Sequence, residues 1–391
     1  MAGGRRSGWV ALVLTSTCAM AGAARAEDGF GFGQDGLTLS LANGAAEFEL
    51  GGRLHLDGML FEDEEEFVDD AEVRRARLEL SGQLGDKVRI RVDYEFTGDG
   101  DWNNVWASYQ VADTVDVRLG QYIPAFSMED LQSSNSIMFL ERALPNAFAP
   151  GYTVGGELGA YGRNWTATFG AFNDPIDSDT DARGTNGDSL VGRFTYDPDL
   201  AKDQILHFGV GLEWRFLDAG SGFRIDSKPE ADMSPVRFVN TGNLRGVNEF
   251  VNASLEFGWR RGNLMAQGQY VRMMLDRENR PDPDFDGWYL EGSWIPTGEE
   301  RRYSKSAGLF GAVTPKTSKG AWEIRARYSM IDLTDKTVSG GVERDAGVGV
   351  TWWRTSRIRL MFEYINAVAD PDSDGDDQIA DILQARIQFA I

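Results

Sequence analysis

Residues 87–96 read Lys-Val-Arg-Ile-Arg-Val-Asp-Tyr-Glu-Phe, and this stretch decides the fold. Val88, Ile90, Val92, Tyr94 and Phe96 share one parity, while Lys87, Arg89, Arg91, Asp93 and Glu95 share the other. Successive strand side chains point to opposite faces, so the segment has one greasy face and one charged face. The preceding run repeats the pattern, with Leu78, Leu80 and Leu84 against Arg75, Arg77, Glu79, Ser81 and Gln83. Further out, Phe48, Leu50, Leu54, Leu56 and Leu60 oppose Glu47, Glu49, Arg53, His55 and Asp57, and Leu383, Ala385, Ile387 and Phe389 oppose Gln384, Arg386 and Gln388. A soluble sandwich alternates too, but over short strands whose apolar face is the core. Many runs here reach about ten residues, the length that spans a bilayer when tilted. The expected fold is all-β, a transmembrane antiparallel barrel.

Sixteen strands are predicted, beginning near Ala46, Ala71, Lys87, Asn103, Thr114, Thr153, Asn164, Ser189, Ile205, Glu249, Leu264, Asp286, Gly320, Asp345, Arg357 and Ile379. Links after even-numbered strands are mostly tight, such as Gly85-Asp86, Ala112-Asp113, Gly162-Arg163 and Thr355-Ser356. Links after odd-numbered strands are mostly longer and acidic: Phe61–Asp70, Ile123–Tyr152, Asn173–Asp188, Leu217–Asn248, Asp332–Arg344 and Val368–Gln378. Short periplasmic turns and long extracellular loops are the habit of outer-membrane barrels. Pro296–Lys319 breaks the rule, being long where a short turn is expected.

The chain opens with Arg5 and Arg6, an apolar run Gly8–Gly22, and Ala24-Arg25-Ala26, which reads as a secretory signal peptide cleaved after Ala26. Residues 27–391 then form one barrel domain. The only cysteine, Cys18, lies in the leader, so the mature chain has neither disulfides nor zinc–cysteine sites. Net charge is −22, and −25 once Arg5, Arg6 and Arg25 leave with the leader, which argues against nucleic acid as a partner.

The lumen parity carries Arg53, Arg75, Arg77, Arg89, Arg91, Arg118, Arg193, Arg215, Arg325, Arg327, Arg359 and Arg386. A guanidinium keeps its charge at working pH and offers parallel donors to an oxyanion, so these residues are candidate pore-lining anion sites. The competing reading is that they pair with acids on the same face, among them Glu79, Asp93, Glu95, Glu213, Glu323 and Glu363, and only solvate the interior. Asp370-Pro-Asp372-Ser-Asp374-Gly-Asp376, with Asp381 beyond, has the spacing of a calcium loop, though it lacks the final Glu ligand. No other cofactor is expected. Two histidines, His55 and His207, on distant strands, and no nucleophile elbow argue against an enzyme.

Several stretches resemble the phosphate-selective porin O/P family of Gram-negative outer membranes. They are Arg74-Arg75-Ala76-Arg77-Leu78-Glu79; Gly120–Phe126 followed by Leu140-Glu141-Arg142; Lys228–Ala231; Gly287-Trp288-Tyr289 through Thr297-Gly298-Glu299 to Arg302-Tyr303; and Gly320–Glu323 through Arg327-Tyr328. The resemblance implies a trimeric porin embedded in outer-membrane lipid that admits small anions, phosphate or polyphosphate in particular. It also implies that Pro124–Pro150 folds inward and narrows the pore, adding Arg142 to the pore-lining candidates. Phosphate-specific members carry lysines near the positions of Asp130 and Asn135, and an aromatic residue where Arg77 stands. Such barrels also commonly end on an aromatic residue, whereas this chain ends Phe389-Ala390-Ile391. The alternative within the channel class is a general diffusion porin with weak or cation-leaning selectivity, consistent with an acidic mouth at Glu62–Glu66, Asp69 and Asp70.

Overall fold

The computed structural model describes residues 29–33, 36–41, 44–63, 67–176, 184, 186–371, 373 and 375–391. The predicted leader lies outside them. Sixteen long strands make the wall: β1 Ala46–Glu62, β2 Phe67–Leu84, β3 Val88–Glu95, β4 Asp101–Ala112, β5 Val115–Tyr122, β6 Thr153–Tyr161, β7 Trp165–Asn173, β8 Gly187–Tyr196, β9 Gln204–Leu217, β10 Val247–Arg261, β11 Leu264–Arg277, β12 Asp284–Trp294, β13 Ala321–Asp335, β14 Val338–Trp353, β15 Ile358–Asp370 and β16 Gln378–Ala390. Each pairs antiparallel with the next, and β16 returns to β1 with Asp381 opposite Glu62 and Ala390 opposite Arg53. Closure leaves no sheet edge, as a membrane span requires of strands. Leu54, Leu60, Phe208, Leu212, Leu383 and Phe389 are exposed on the outer face, while Arg53, His55, Asp57, His207, Glu213 and Arg386 are buried inside.

Two predicted boundaries need correction. Strand β2 begins at Phe67 rather than Ala71, and β14 at Val338 rather than Asp345. The expected long link Asp332–Arg344 is therefore a tight turn at Lys336 and Thr337, with Lys336 at φ 53° and Asp335 opposite Val338. Above the hydrocarbon a strand's outward face need not be apolar, so alternation stops before pairing does. A further hairpin, Gly29–Gly33 with Gly36–Leu41, was not expected from the pattern. It pairs with the first residues of β1, beside the point where Ile391 exchanges hydrogen bonds with Gly52.

Three segments fold into the lumen. The first, Ile123–Tyr152, is called the inner segment below; it carries one short helix, α1 (Met128–Leu131), and a 3-10 turn, Leu144–Phe148. Its Phe126, Leu144 and Phe148 pack against Phe172, Phe250 and Val271 of the wall. Leu131, Met138 and Phe139 pack with Met265, Leu309 and Phe310. The second segment, between β9 and β10, brings Glu230 down onto β13. The third is the long link between β12 and β13, which rises from the opposite end as a small hairpin, Arg301–Ser304 with Leu309–Val313. The exception at Pro296–Lys319 thus reflects an inserted element and not a misplaced strand.

Candidate functional site

A backbone buried without secondary structure must find partners for its N–H and C=O groups elsewhere. The wall supplies them to the inner segment. Arg359 donates to the carbonyls of Ser134 (2.8 Å) and Ile137 (2.9 Å), Arg386 to that of Leu140 (2.7 Å), and Arg327 to that of Glu141 (3.0 Å). Arg325 reaches Met138, and Asn252 reaches Phe148 (2.6 Å). From the rising hairpin, Arg301 donates to Ser136 (2.6 Å). Acids accept in turn: the Leu140 amide donates to Glu363 (3.2 Å), and the Leu144 amide to Glu230 (3.3 Å).

All of these buried guanidiniums except that of Arg359 also meet a carboxylate. Arg386 grips Asp57 with two bonds (2.7 and 2.6 Å), Arg301 grips Glu323 (2.7 and 3.0 Å), and Arg327 bridges Glu230 (2.9 Å) and Glu291 (3.1 Å). Arg325 lies 3.1 Å from Glu363. Arg359 instead takes Gln388 (2.8 Å). Phe139 sits between the guanidinium carbons of Arg327 and Arg325, at 4.2 and 4.9 Å from its ring centre. Its edge fits because Gly347 has no side chain, where a Cβ would approach it to 3.0 Å. Gly211 is more constrained still: a Cβ there would lie 1.8 Å from the carbonyl oxygen of Phe126.

On the other side the inner segment stands off the wall. A cavity of about 270 Å³ separates it from β2–β5 and is bordered by Arg53, Arg74, Arg75, Arg77, Arg118 and Arg142, together with Glu95, Asn103, Asn104, Trp106, Asp130 and Tyr152. A second cavity of about 360 Å³ lies under the segment between β9 and β10 and shares Arg74, Arg75 and Arg142 with the first. Two β-bulges furnish this side. Leu56 pairs with Val73 and His55 with Arg75, so Arg74 is the extra residue, and both neighbouring arginines border the cavities. Across β3 and β4, Val92 pairs with Val105 and Tyr94 with Trp102, leaving Asp93 opposite both Asn103 and Asn104. Bulges of this kind re-aim side chains without interrupting the sheet.

The cavity arginines have looser company. Arg77 donates to Glu95 and to the Tyr152 hydroxyl, both at 3.2 Å. Arg74 meets Glu141 (3.0 Å) and Asp232 (3.2 Å). Arg75 stands 3.6 Å from Glu141, and its Nη1 makes no hydrogen bond. Arg118 faces the rings of Trp106 and Tyr122, each at 4.9 Å. Arg142 donates to the carbonyls of Glu129 (3.1 Å), Asp130 (3.1 Å) and Gln132 (3.0 Å), holding the end of α1 in place. Two acids of the inner segment respond oppositely to burial. Glu129 is pushed up to about 8 by desolvation, which Arg327 at 3.8 Å only partly offsets. Burial would also raise Glu141, but Arg75, Arg74 and Arg386 hold it well below the usual carboxylate range.

Of the sequence candidates, Arg53, Arg75, Arg77, Arg118 and Arg142 come together at the cavity. Arg91 stands behind them, bonded to Glu79 and Asp93, and Arg89 lies nearer the short-turn end of β3, in register with Gln83 and Ser108. Arg193, Arg215, Arg325, Arg327 and Arg359 are not at the cavity. Arg193 grips Glu256 and the carbonyls of Ala307 and Gly308 in the rising hairpin, and Arg215 pairs with Asp174. Arg74, Asn103 and Asn104 escaped the pattern because alternation assigned one residue per step; the doublets Arg74-Arg75 and Asn103-Asn104 were the available signal. Within the calcium loop, Asp372 and Asp374 lie outside the described residues. Asp370 accepts from the Gly375 amide (3.1 Å), Asp376 lies beyond it at the approach to β16, and Asp381 bonds Tyr364 (2.5 Å) and Asn366 (2.9 Å). Among the described residues no group of three His, Cys, Asp or Glu converges as a metal site.

Residues 48–391 match the family phosphate-selective porin O and P. A Caulobacter vibrioides protein of uncharacterised role is 28% identical over 348 residues, covering 82% of this chain and 69% of that protein. The anion-selective porin from Comamonas acidovorans superposes with a TM-score of 0.57 at 13% identity, over 88% of this chain and 100% of that one. OmpT of Vibrio cholerae, solved in a trimer form, superposes at 0.55 and 13% identity, over 89% and 100%. Family and fold together locate the barrel in the Gram-negative outer membrane and indicate a channel rather than an enzyme.

Proposed function

The chain belongs to the phosphate-selective porin O and P family, and from that premise we propose that it conducts small anions by passive diffusion through the gap between β2–β5 and the inner segment. The observation that carries this reading is the convergence of six guanidiniums on one cavity, on a side of the inner segment that the wall does not seal. An anion entering from the long-loop end would meet Arg74, Arg75 and Arg142, which border both cavities, and then Arg77 and Arg118. Conduction needs each stop to be attractive yet easily left. Carboxylates such as Glu95 and Glu141 beside these arginines would temper each stop. Phosphate and polyphosphate are the solutes the family suggests, and a trimer is the assembly it suggests.

A general diffusion pore is the second reading, favoured by Glu95 and Asp130 inside the cavity and by Asp226 and Asp232 above it. The zero-current potential of the purified protein in a planar bilayer under a potassium chloride gradient separates the two. An anion-selective potential, with chloride current reduced on adding phosphate, supports the arginine path. A cation-leaning potential without any such reduction supports the general pore.

A further inference from the structure

The segment between β9 and β10, which covers the second cavity, is held to the wall by two kinds of contact. One is apolar: Ala231 and Phe238 pack on Phe61 of β1, Ile365 and Ala369 of β15 and Ile382 of β16. Barrel interiors are polar where water fills them, so an apolar patch there calls for a cover. The other contact centres on Glu230. Its carboxylate accepts from Arg327 (2.9 Å), Ser329 (2.6 Å) and the Leu144 amide (3.3 Å), its carbonyl accepts from Gln384 (2.9 Å), and its amide donates to Asp345 (3.0 Å).

Glu343, two residues before Asp345 on the inner face of β14, takes part in neither. It is fully buried, and among the described residues neither carboxylate oxygen has a hydrogen-bond partner. Its register neighbours are apolar, Ile331 on β13 and Ala369 on β15. Each belongs to a buried cluster that the segment completes, with Val239 in one and Phe238 in the other. The charges that face Glu343 are both negative: Asp345 on its own strand and Glu230 on the segment. The nearby cations are engaged elsewhere, Arg327 by Glu230 and Glu291, Arg325 by Glu363. On the segment, Lys228 reaches the Asp232 carbonyl and Arg237 reaches Asp226 (2.6 Å). Arg344 is exposed on the outer face, which puts this level above the hydrocarbon.

Such a site suits a carboxylic acid and not a carboxylate. An ionised group here would lose its hydration with no donor to replace it, beside two other acids. Burial, with Asp345 and Glu230 adding repulsion, accordingly pushes Glu343 well above the ordinary carboxylate range. We propose that the proton on Glu343 latches this segment over the pore entrance, so that the entrance narrows in acid and widens when the proton leaves; this regulation rests on the channel reading above. The carboxylate formed takes up water, which reaches it as Val239 and Phe238 lift from the wall. The latched state binds the proton more tightly than the released one. Latching is therefore complete below the ordinary carboxylate range and is lost as pH rises through the raised value.

The test places one thiol in the segment, Ala231→Cys combined with Cys18→Ser, and follows its reaction with iodoacetamide in lipid vesicles, with and without Glu343→Gln. Comparing the two backgrounds at each pH cancels the ionisation of the thiol itself. The rates should agree at about pH 5, and at about pH 10 the chain that keeps Glu343 should react at least about tenfold faster. Its conductance in a planar bilayer should rise over the same range, and that of Glu343→Gln should stay flat. Glu343→Ala, which also cannot titrate, should give the same flat response where the glutamine variant fails to insert. Equal rates in the two backgrounds at both pH values overturn the latch, whatever the current does. A tenfold gain in a barrel that passes no current in either state keeps the latch and removes the channel reading instead.

Discussion

On β2, Arg75 keeps one guanidinium nitrogen without a hydrogen-bond partner, 3.6 Å from the nearest carboxylate; across the lumen on β13, Arg327 directs its donors to Glu230, Glu291 and the carbonyl of Glu141. Both residues are arginines on the inward parity of a barrel strand, and both are buried. The difference lies in what faces them. Arg327 faces the buried backbone of the inner segment at the Glu141 carbonyl, so it acts as a clamp. Arg75 faces open space between the wall and that same loop. A charged lumen residue in a barrel is therefore not automatically part of the ion path; it belongs to the path only where the inner segment stands away from it.

The contrast is broken most severely at the clamps. Arg386→Ala removes a buried guanidinium from Asp57, Glu141 and the Leu140 carbonyl, leaving Asp57 uncompensated and Glu141 with Arg74 and Arg75 alone. The expected loss is about 3–5 kcal/mol, read as a lower urea midpoint in lipid vesicles, with larger and noisier conductance as the inner segment comes away. An unchanged midpoint would mean that the clamp contributes little. Gly211→Ala should cost about 1–3 kcal/mol, since the new methyl would meet the Phe126 carbonyl and push the segment off β9.

The path side should respond in selectivity and not in stability. Arg75→Ala combined with Arg77→Ala removes two charges from the cavity; at roughly 8 Å in a watery lumen each is worth about 0.5 kcal/mol, so chloride permeability should fall about fivefold, potassium permeability should rise by a like factor, and their ratio should fall about thirtyfold. A stable protein with an unchanged ratio would take both residues out of the path.

The smallest effect concerns pH. With its carboxyl pushed up to about 8, Glu129 holds a proton in the folded state across the range where the unfolded chain has lost it. Stability should therefore fall as pH rises from the ordinary carboxylate range to about 8. Glu129→Gln, which mimics the neutral form, should flatten that slope in urea unfolding; an identical slope in both proteins would show that another group governs it.

Much of the wall was legible because a barrel strand must alternate wherever it touches lipid. The sixteen strands follow from that constraint, and the boundaries slipped at Phe67 and Val338, where β2 and β14 extend beyond it. The long link at Pro296–Lys319 stood out as an anomaly, and it proved to be the hairpin that carries Arg301 to the inner segment. The division between clamps and path was not legible. Arg75 and Arg327 look alike along the chain, and only the position of residues 123–152 distinguishes them. Arg74 was hidden by a bulge that its doublet with Arg75 marks but does not prove.

The central claim is that water and ions reach β2–β5 and not the wall behind the inner segment. Residues 27–391 contain no cysteine, so single thiols can be placed among them, with Cys18 replaced by Ser, without background. Thr97 borders the cavity, and Thr351 is fully buried on the inner face of β14. A negatively charged thiol reagent added to the open channel should lower the conductance of Thr97→Cys within minutes and leave Thr351→Cys unchanged. Equal modification of both, or modification of Thr351→Cys alone, would contradict the division of the lumen on which this account stands.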